Sequence, residues 1–198
     1  MSNESVPAKP ALRQHLRAAL RGLSMEERAQ GSAQIRQRLS AQPVWQAAKS
    51  ILFFAPTVTE PDLWPLLTEA LAQGRRATLL RHSPVTNSYL PCVIHDPVRD
   101  VTPGQFGIPE PAAHCPIIEL KQLDFALVPG IGFTLDGGRL GRGQGYYDRL
   151  LSGLPGFKCG VAFDCQLAAL IPMEPHDVRL NCILTPTRWH PVPASVLK

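Results

Sequence analysis

Apolar residues recur at every fourth position near the start of the chain. In "KPALRQHLRAALRG", Leu12, Leu16 and Leu20 make one stripe with polar residues between them, and Gly22 closes the run. The spacing predicts an amphipathic helix over 9–22. "SMEE" comes next, with Ser24 placed to cap a second helix and Glu27 placed three residues on to complete a capping box. That helix is expected to reach about Gln42, with Ile35 and Leu39 inward, until Pro43 ends it. The period then changes. "AKSILFFAP" is a short unbroken apolar run with a proline stop, which reads as a buried strand. "EPDLWPLLTEALAQG" returns to helical spacing, with Pro61 near its first turn and Gly74 past its end, and "RRATLLR" is the next strand.

Strand, helix, strand at this spacing is a parallel crossover unit, so the class is α/β. The stretch 82–116 holds seven prolines and reads as loops around one short strand near Tyr89–Ile94. Beyond it, "LDFALVPG" gives an interior strand, Gly145–Leu151 starts a helix, "KCGVAF" is a strand, "CQLAALIP" a short helix and "NCILT" the final strand. Five or six strands with helices on both faces make a three-layer α/β/α sandwich. Its sheet is expected to be mostly parallel and Rossmann-like, and a helical arm over about 9–42 leads it. The whole chain, 1–198, is read as one domain.

Composition narrows the classes without changing this picture. The hydrophobic share is 44% and charged residues make up 18%, a globular balance. No apolar run approaches the roughly 18 residues of a membrane span, and the N-terminus lacks the apolar core of a secretory signal. A cytoplasmic protein with no membrane partner is expected. The five cysteines, Cys92, Cys115, Cys159, Cys165 and Cys182, are odd in number and show no Cys-x-x-Cys pair, so they read as reduced structural thiols. The six histidines show no metal-ligand spacing and read as surface or loop residues. Charge is uneven: residues 1–49 hold eight Lys or Arg against three Glu, the remainder twelve against thirteen acids. A basic arm therefore leads a near-neutral body. It suits nucleic acid or a small polyanion, but no basic segment is interleaved with aromatics, which argues against nucleic acid.

Candidate chemistry gathers in "VPGIGFTLDGGRLGRGQGYYD". In an open α/β sheet, ligands bind where loops leave the carboxyl ends of the strands, and this segment follows such a strand. Backbone N–H groups freed by Gly141, Gly143 and Gly145 could wrap an anion beside a helix start, and Arg139 and Arg142 add charge and planar donors. No Gly-Lys-Ser/Thr follows, so it is not a Walker loop. Asp148 could hold magnesium or pair with a nearby arginine. Asp177, in "MEPHDVRL", reads on spacing alone as a helix cap. Glu60, after the first strand, could bind a polar heterocycle or cap the next helix.

Several segments in order carry a resemblance: "KPALR", the "TE" after the first strand, "FGIPEP", "LVPGIGFTLDGGRLGRGQGYYDRLL" and "FDCQ…IPMEPHDVRLNCILT". Together they resemble the 5-formyltetrahydrofolate cyclo-ligase family from Lys9 to Thr185. The resemblance implies conversion of 5-formyltetrahydrofolate and ATP to 5,10-methenyltetrahydrofolate, ADP and phosphate through a phosphorylated formyl group, with Mg2+ as cofactor. It implies ATP contacts from Lys9, Arg13, Arg139, Leu140, Gly141, Arg142, Gly143, Gln144, Gly145, Tyr146 and Tyr147. Arg142 and Tyr147 would be catalytic, Glu60 and Tyr147 would bind folate, and Asp148 and Asp177 would ligate the metal. This moves Asp177 from cap to ligand, provided the loop after Pro172 folds back over the same sheet edge. No nucleic-acid partner is implied, and a monomer is expected. Where the family has proline, leucine and aspartate after the His-Asp pair, this chain has Arg179, Leu180 and Asn181, which would leave less negative charge near the metal. The alternative is a non-catalytic relative that binds nucleotide or folate as a sensor or partner-binding module.

Overall fold

A computed structural model describes residues 8–197. Helix α1 (Lys9–Gly22) forms on the leucine stripe, with Leu12, Leu16 and Leu20 buried. Helix α2 (Met25–Ser40) starts at the capping box: Ser24 Oγ accepts from Glu27 N at 3.1 Å, and Glu27 Oε2 accepts from Ser24 N at 2.7 Å. Pro43 does more than end α2. It opens the short helix α3 (Pro43–Ala47), where its fixed φ suits the first turn and its missing N–H costs nothing. Helix α4 (Trp64–Ala72) likewise begins later than the pattern suggests. Pro65, not Pro61, lies in its first turn, and Asp62 Oδ1 accepts the Trp64 N–H at 3.0 Å.

The strands are β1 (Ser50–Leu52), β2 (Arg76–Ser83), β3 (Ser88–Ile94), β4 (Val101–Pro103), β5 (Pro109–Pro111), β6 (Phe125–Val128), β7 (Gly132–Phe133), β8 (Arg139–Leu140), β9 (Phe157–Val161), β10 (Cys182–Leu184) and β11 (Trp189–Pro191). Helix α5 (Tyr146–Ser152) lies between β8 and β9. Seven strands form the main sheet in the order β11-β10-β9-β6-β1-β2-β3. The inner pairs β10·β9, β9·β6, β6·β1 and β1·β2 are parallel, and each edge strand is antiparallel to its neighbour. β4·β5 and β7·β8 are separate antiparallel hairpins.

Side-chain alternation sorts the core into two faces. Ile51, Phe53, Phe125 and Leu127 pack under α2, α3 and α4 with Ile35, Leu39, Trp45, Leu66 and Leu67. Leu52, Ala126 and Val128 pack on the other side with Leu150 and Leu151 of α5. Both faces are covered, as a mostly parallel sheet requires. A third cluster seats Leu12 and Leu16 of α1 against Ile131, Leu140 and Ile171, which fixes the arm beside the β7–β8 hairpin.

The stretch 82–116 holds β3, β4 and β5, more than the one short strand expected, and two further readings differ. "CQLAALIP" is only a 3-10 turn at Asp164–Gln166. Buried Gln166 donates its amide to Gly130 O, and Ala168 N bonds Phe133 O at 2.9 Å, so the chain joins the β7 edge instead of coiling. β11, a three-residue strand after the last one expected, is held by Trp189 stacking on Phe157 at 6.1 Å. The five cysteines are free thiols and four are buried. Among the described residues no helix is long and apolar enough to cross a membrane.

Candidate functional site

β1 connects towards β2 on one side, while β6 lies on its other side, so strand order reverses between β1 and β6. The crevice beyond the carboxyl ends of two such strands is the usual ligand site of an open α/β sheet. A cleft of about 560 Å³ opens there, within the range of small-molecule sites. Phe54, Ala55 and Glu60 reach it from the loop after β1, and Pro129 and Gly130 from the end of β6. Lys9 and Arg13 of α1, the whole run Arg139–Asp148, and Asp177 also line it. Every residue assigned an ATP, folate or metal contact from the sequence therefore lines one cleft.

The loop between β8 and α5 owes its course to its glycines. Gly143 and Gly145 hold φ of +105° and +66°, which a side chain would resist. Lys9 and Arg13, four residues apart on α1, both project to the cleft, and Arg13 braces this loop. Arg13 Nε donates to Gly141 O at 2.9 Å. Lys9 Nζ reaches Glu174 at 2.8 Å and Asp177 at 2.9 Å, so the loop after Pro172 does fold back to the cleft. Burial pulls the Lys9 ammonium down, but hydrogen bonds to Glu174 and Asp177 outweigh it and hold its pKa above the ordinary value. For Asp177 burial opposes ionisation, while the Glu174 N–H and Lys9 keep its carboxyl below the usual range. Asp177 caps no helix, since none follows it; its Oδ2 instead closes a turn at 2.8 Å from Glu174 N.

Arg139 and Arg142 differ in setting. The Arg139 side chain is 4% exposed and pairs with Asp148 at 2.7 Å, while its charge also lies 5.4 Å from the centre of the Tyr147 ring. The Arg142 side chain is 51% exposed and reaches Glu60 Oε1 at 2.8 Å. Leu140 is buried against α1, so only its backbone can meet a ligand. Glu60 does not cap α4. Its Oε2 accepts from Thr57 N at 2.9 Å and Thr57 Oγ1 at 3.0 Å, which aims Oε1 at Arg142. The Tyr147 phenol is pushed far up by burial, then by the Glu60 charge, and Tyr89 is raised by burial and by Glu110. Both therefore stay protonated near neutral pH and keep an O–H to donate.

The structure adds residues that the sequence pattern missed. Tyr89 and Leu80 of the β2–β3 hairpin line the cleft, and Tyr89 packs edge-on against Tyr146 at 5.0 Å. The Tyr146 hydroxyl bonds Asn87 at 3.1 Å. Glu110 is buried at the cleft wall, accepting from His82 N and Gln105 N; its place in "FGIPEP" was the available signal. Glu174 and His176 also line the cleft, signalled only by lying beside Asp177. Asn181 moves the other way. Its Oδ1 accepts from Lys158 N at 2.8 Å at the start of β9, and Arg179 pairs with Asp136. Neither lines the cleft, so the substitution at 181 removes no charge from it.

Asp148 and Asp177 both bring carboxylates to the cleft lining. Each engages one oxygen with a cation and leaves the other without a hydrogen bond among the described residues. Carboxylate oxygens completed by phosphate and water suit Mg2+.

The chain has clear relatives. The profile of the 5-formyltetrahydrofolate cyclo-ligase family matches residues 5–186. The 5-formyltetrahydrofolate cyclo-ligase of Mus musculus is 28% identical over 194 residues, covering 89% of this chain and 93% of that protein. The enzyme of the same name from Escherichia coli K12 is 28% identical over 177 residues, covering 87% and 97%. The NMR structure of Aquifex aeolicus 5,10-methenyltetrahydrofolate synthetase superposes with a TM-score of 0.83 at 32% identity, covering 93% of this chain and 92% of that one.

Proposed function

This chain belongs to the 5-formyltetrahydrofolate cyclo-ligase family, and from that premise we propose how its cleft carries out the family reaction. The enzyme converts 5-formyltetrahydrofolate to 5,10-methenyltetrahydrofolate at the expense of ATP. The carrying observation is the convergence of the Arg139–Asp148 run with Lys9, Arg13, Glu60 and Asp177 on one cleft.

An amide oxygen is a poor leaving group, which is why ATP is needed. The formyl oxygen attacks the γ-phosphorus and ADP departs. The second folate nitrogen then attacks the formyl carbon, phosphate departs with that oxygen, and the nitrogen loses its proton. This chemistry asks the protein for positioning and charge stabilisation. Amides of Gly141–Gly145 cradle the phosphates, and Lys9 and Arg13 add charge from α1. Arg142 swings from Glu60 to the transferring phosphoryl group, since its exposed side chain is free to turn. That frees Glu60 Oε1 to accept from the pterin, with Oε2 still held by Thr57. Tyr147, fixed as a neutral donor, hydrogen-bonds folate or nucleotide. Asp148 and Asp177 would hold Mg2+, which offsets phosphate charge when bound. All these groups come from one chain, so a monomer carries the complete site.

The test is absorbance of the methenyl product. It should accumulate only with 5-formyltetrahydrofolate, ATP and Mg2+ together, and its absence under all conditions would leave a non-catalytic binder. Lys9 supplies a second check. Lys9→Ala removes one charged hydrogen-bond donor, so it should raise the KM for ATP about tenfold and leave the KM for folate nearly unchanged. A shift in the folate constant instead would place α1 over the other substrate.

A further inference from the structure

Away from the nucleotide cleft, a recess of about 310 Å³ is lined by Asp100, His114 and Cys115. Their ligating atoms all lie within 4.8 Å of one another, the only group of three or more His, Cys, Asp or Glu donors of this kind among the described residues. Asp100 stands just before β4, and His114 and Cys115 follow β5, so the hairpin brings them together at its base.

We propose that Asp100, His114 and Cys115 form a second metal site, which takes Zn2+ and clamps the base of the β4–β5 hairpin. The Asp100 carboxylate is oriented as a ligand. Oδ2 accepts from His95 N at 2.7 Å and Asp96 N at 3.0 Å, leaving Oδ1 aimed at His114 Nε2, 3.0 Å away. Such outer hydrogen bonds commonly fix metal-bound carboxylates. Donors at about 2.0 Å on a tetrahedral zinc sit about 3.3 Å apart, so the His114–Asp100 pair needs to open by only a few tenths of an ångström. Cys115 supplies a sulfur that now makes one long contact, 3.4 Å to Asp100 O. On binding, the Cys115 S–H proton passes to solvent as the S–Zn bond forms, and His114 gives up the Nε2 proton it now shares with Asp100, taking the Nδ1–H tautomer so that Nε2 can bind the metal. Water from the open recess takes the fourth position. Sulfur, imidazole and one carboxylate together favour zinc over magnesium. The hairpin so clamped carries Ile108, Pro109 and Glu110 to the cleft, so the metal would steady one cleft wall without touching the reaction.

Cobalt(II) is the probe, titrated into the full chain after chelator treatment. One equivalent should give a thiolate-to-cobalt charge-transfer band, and Zn2+ should displace it. Cys115→Ser should abolish the band and Cys165→Ser should keep it. His114→Ala, at an exposed side chain that tolerates truncation, should weaken binding at least about tenfold. Zn2+ should also raise the Tm of the unmodified protein and raise that of His114→Ala less. No cysteine lines the nucleotide cleft, so cobalt bound there gives no such band, and this result is independent of the folate assay. A missing band, or one that survives Cys115→Ser, overturns the site.

Discussion

Arg142→Ala should lower kcat about 10²- to 10³-fold, the loss typical of removing one donor from a developing oxyanion, or about 3 kcal/mol of barrier. Stability should hardly change. The side chain is half-exposed and its visible partner, Glu60, is itself bonded to Thr57. The Glu60 side chain is only 10% exposed, but its two bonds from Thr57 remain, and a pair open to water at the arginine contributes little. KM for ATP should rise less than kcat falls, because a charge used mainly on the moving phosphoryl group acts mostly in the transition state. Arg142→Lys should recover only part of the rate, since one ammonium cannot match a planar fork. The measurement is steady-state methenyl formation beside a thermal melt. A folded Arg142→Ala protein with unchanged kcat would leave Arg142 as nothing more than the partner of Glu60.

Much of this site was legible in the sequence because its pieces are local. Arg139 to Asp148 is one uninterrupted run, and glycine needs no tertiary context to signal positive φ. The helical spacing of Lys9 and Arg13 likewise fixes their common face. What sequence could not supply is pairing across distance. Nothing local says that Arg139 is buried, that Arg142 meets Glu60 over 82 positions, or that Lys9 meets Asp177 over 168. The fold shows the same divide. Runs such as "SILFF" and "FALV" carry their own burial. β11 and the turn at Asp164–Gln166 depend on Trp189 finding Phe157 and Gln166 finding Gly130, contacts that no window of sequence contains. Asn181 is the instructive case. Its place near Asp177 suggested less negative charge beside a metal, yet its amide closes a backbone pair beside β9.

Asp148→Asn is expected to damage stability and metal use together, and the two can be separated. The Arg139 guanidinium is 4% exposed and Asp148 is its ion-pair partner, while Arg139 Nε is buried with no partner. Stranding a buried charge costs about 3–5 kcal/mol. Asp148 is 15% exposed and asparagine can still accept one bond, so the lower figure applies. For a chain of this size a loss of about 3 kcal/mol lowers Tm by about 6–12 °C. Changing both partners should undo that. In Arg139→Met/Asp148→Asn no charge is left buried, and replacing a buried pair with neutral groups is often neutral or stabilising. Its Tm should return close to that of the unmodified protein. The magnesium requirement should not return, because the carboxylate that would hold the ion is still missing. Activity titrated against Mg2+ should therefore stay shifted to high metal in both variants, with a weaker shift for Asp177→Asn, whose negative charge is already shared with Lys9. A double variant that regains both stability and ordinary magnesium dependence would mean that Asp148 serves only to neutralise Arg139.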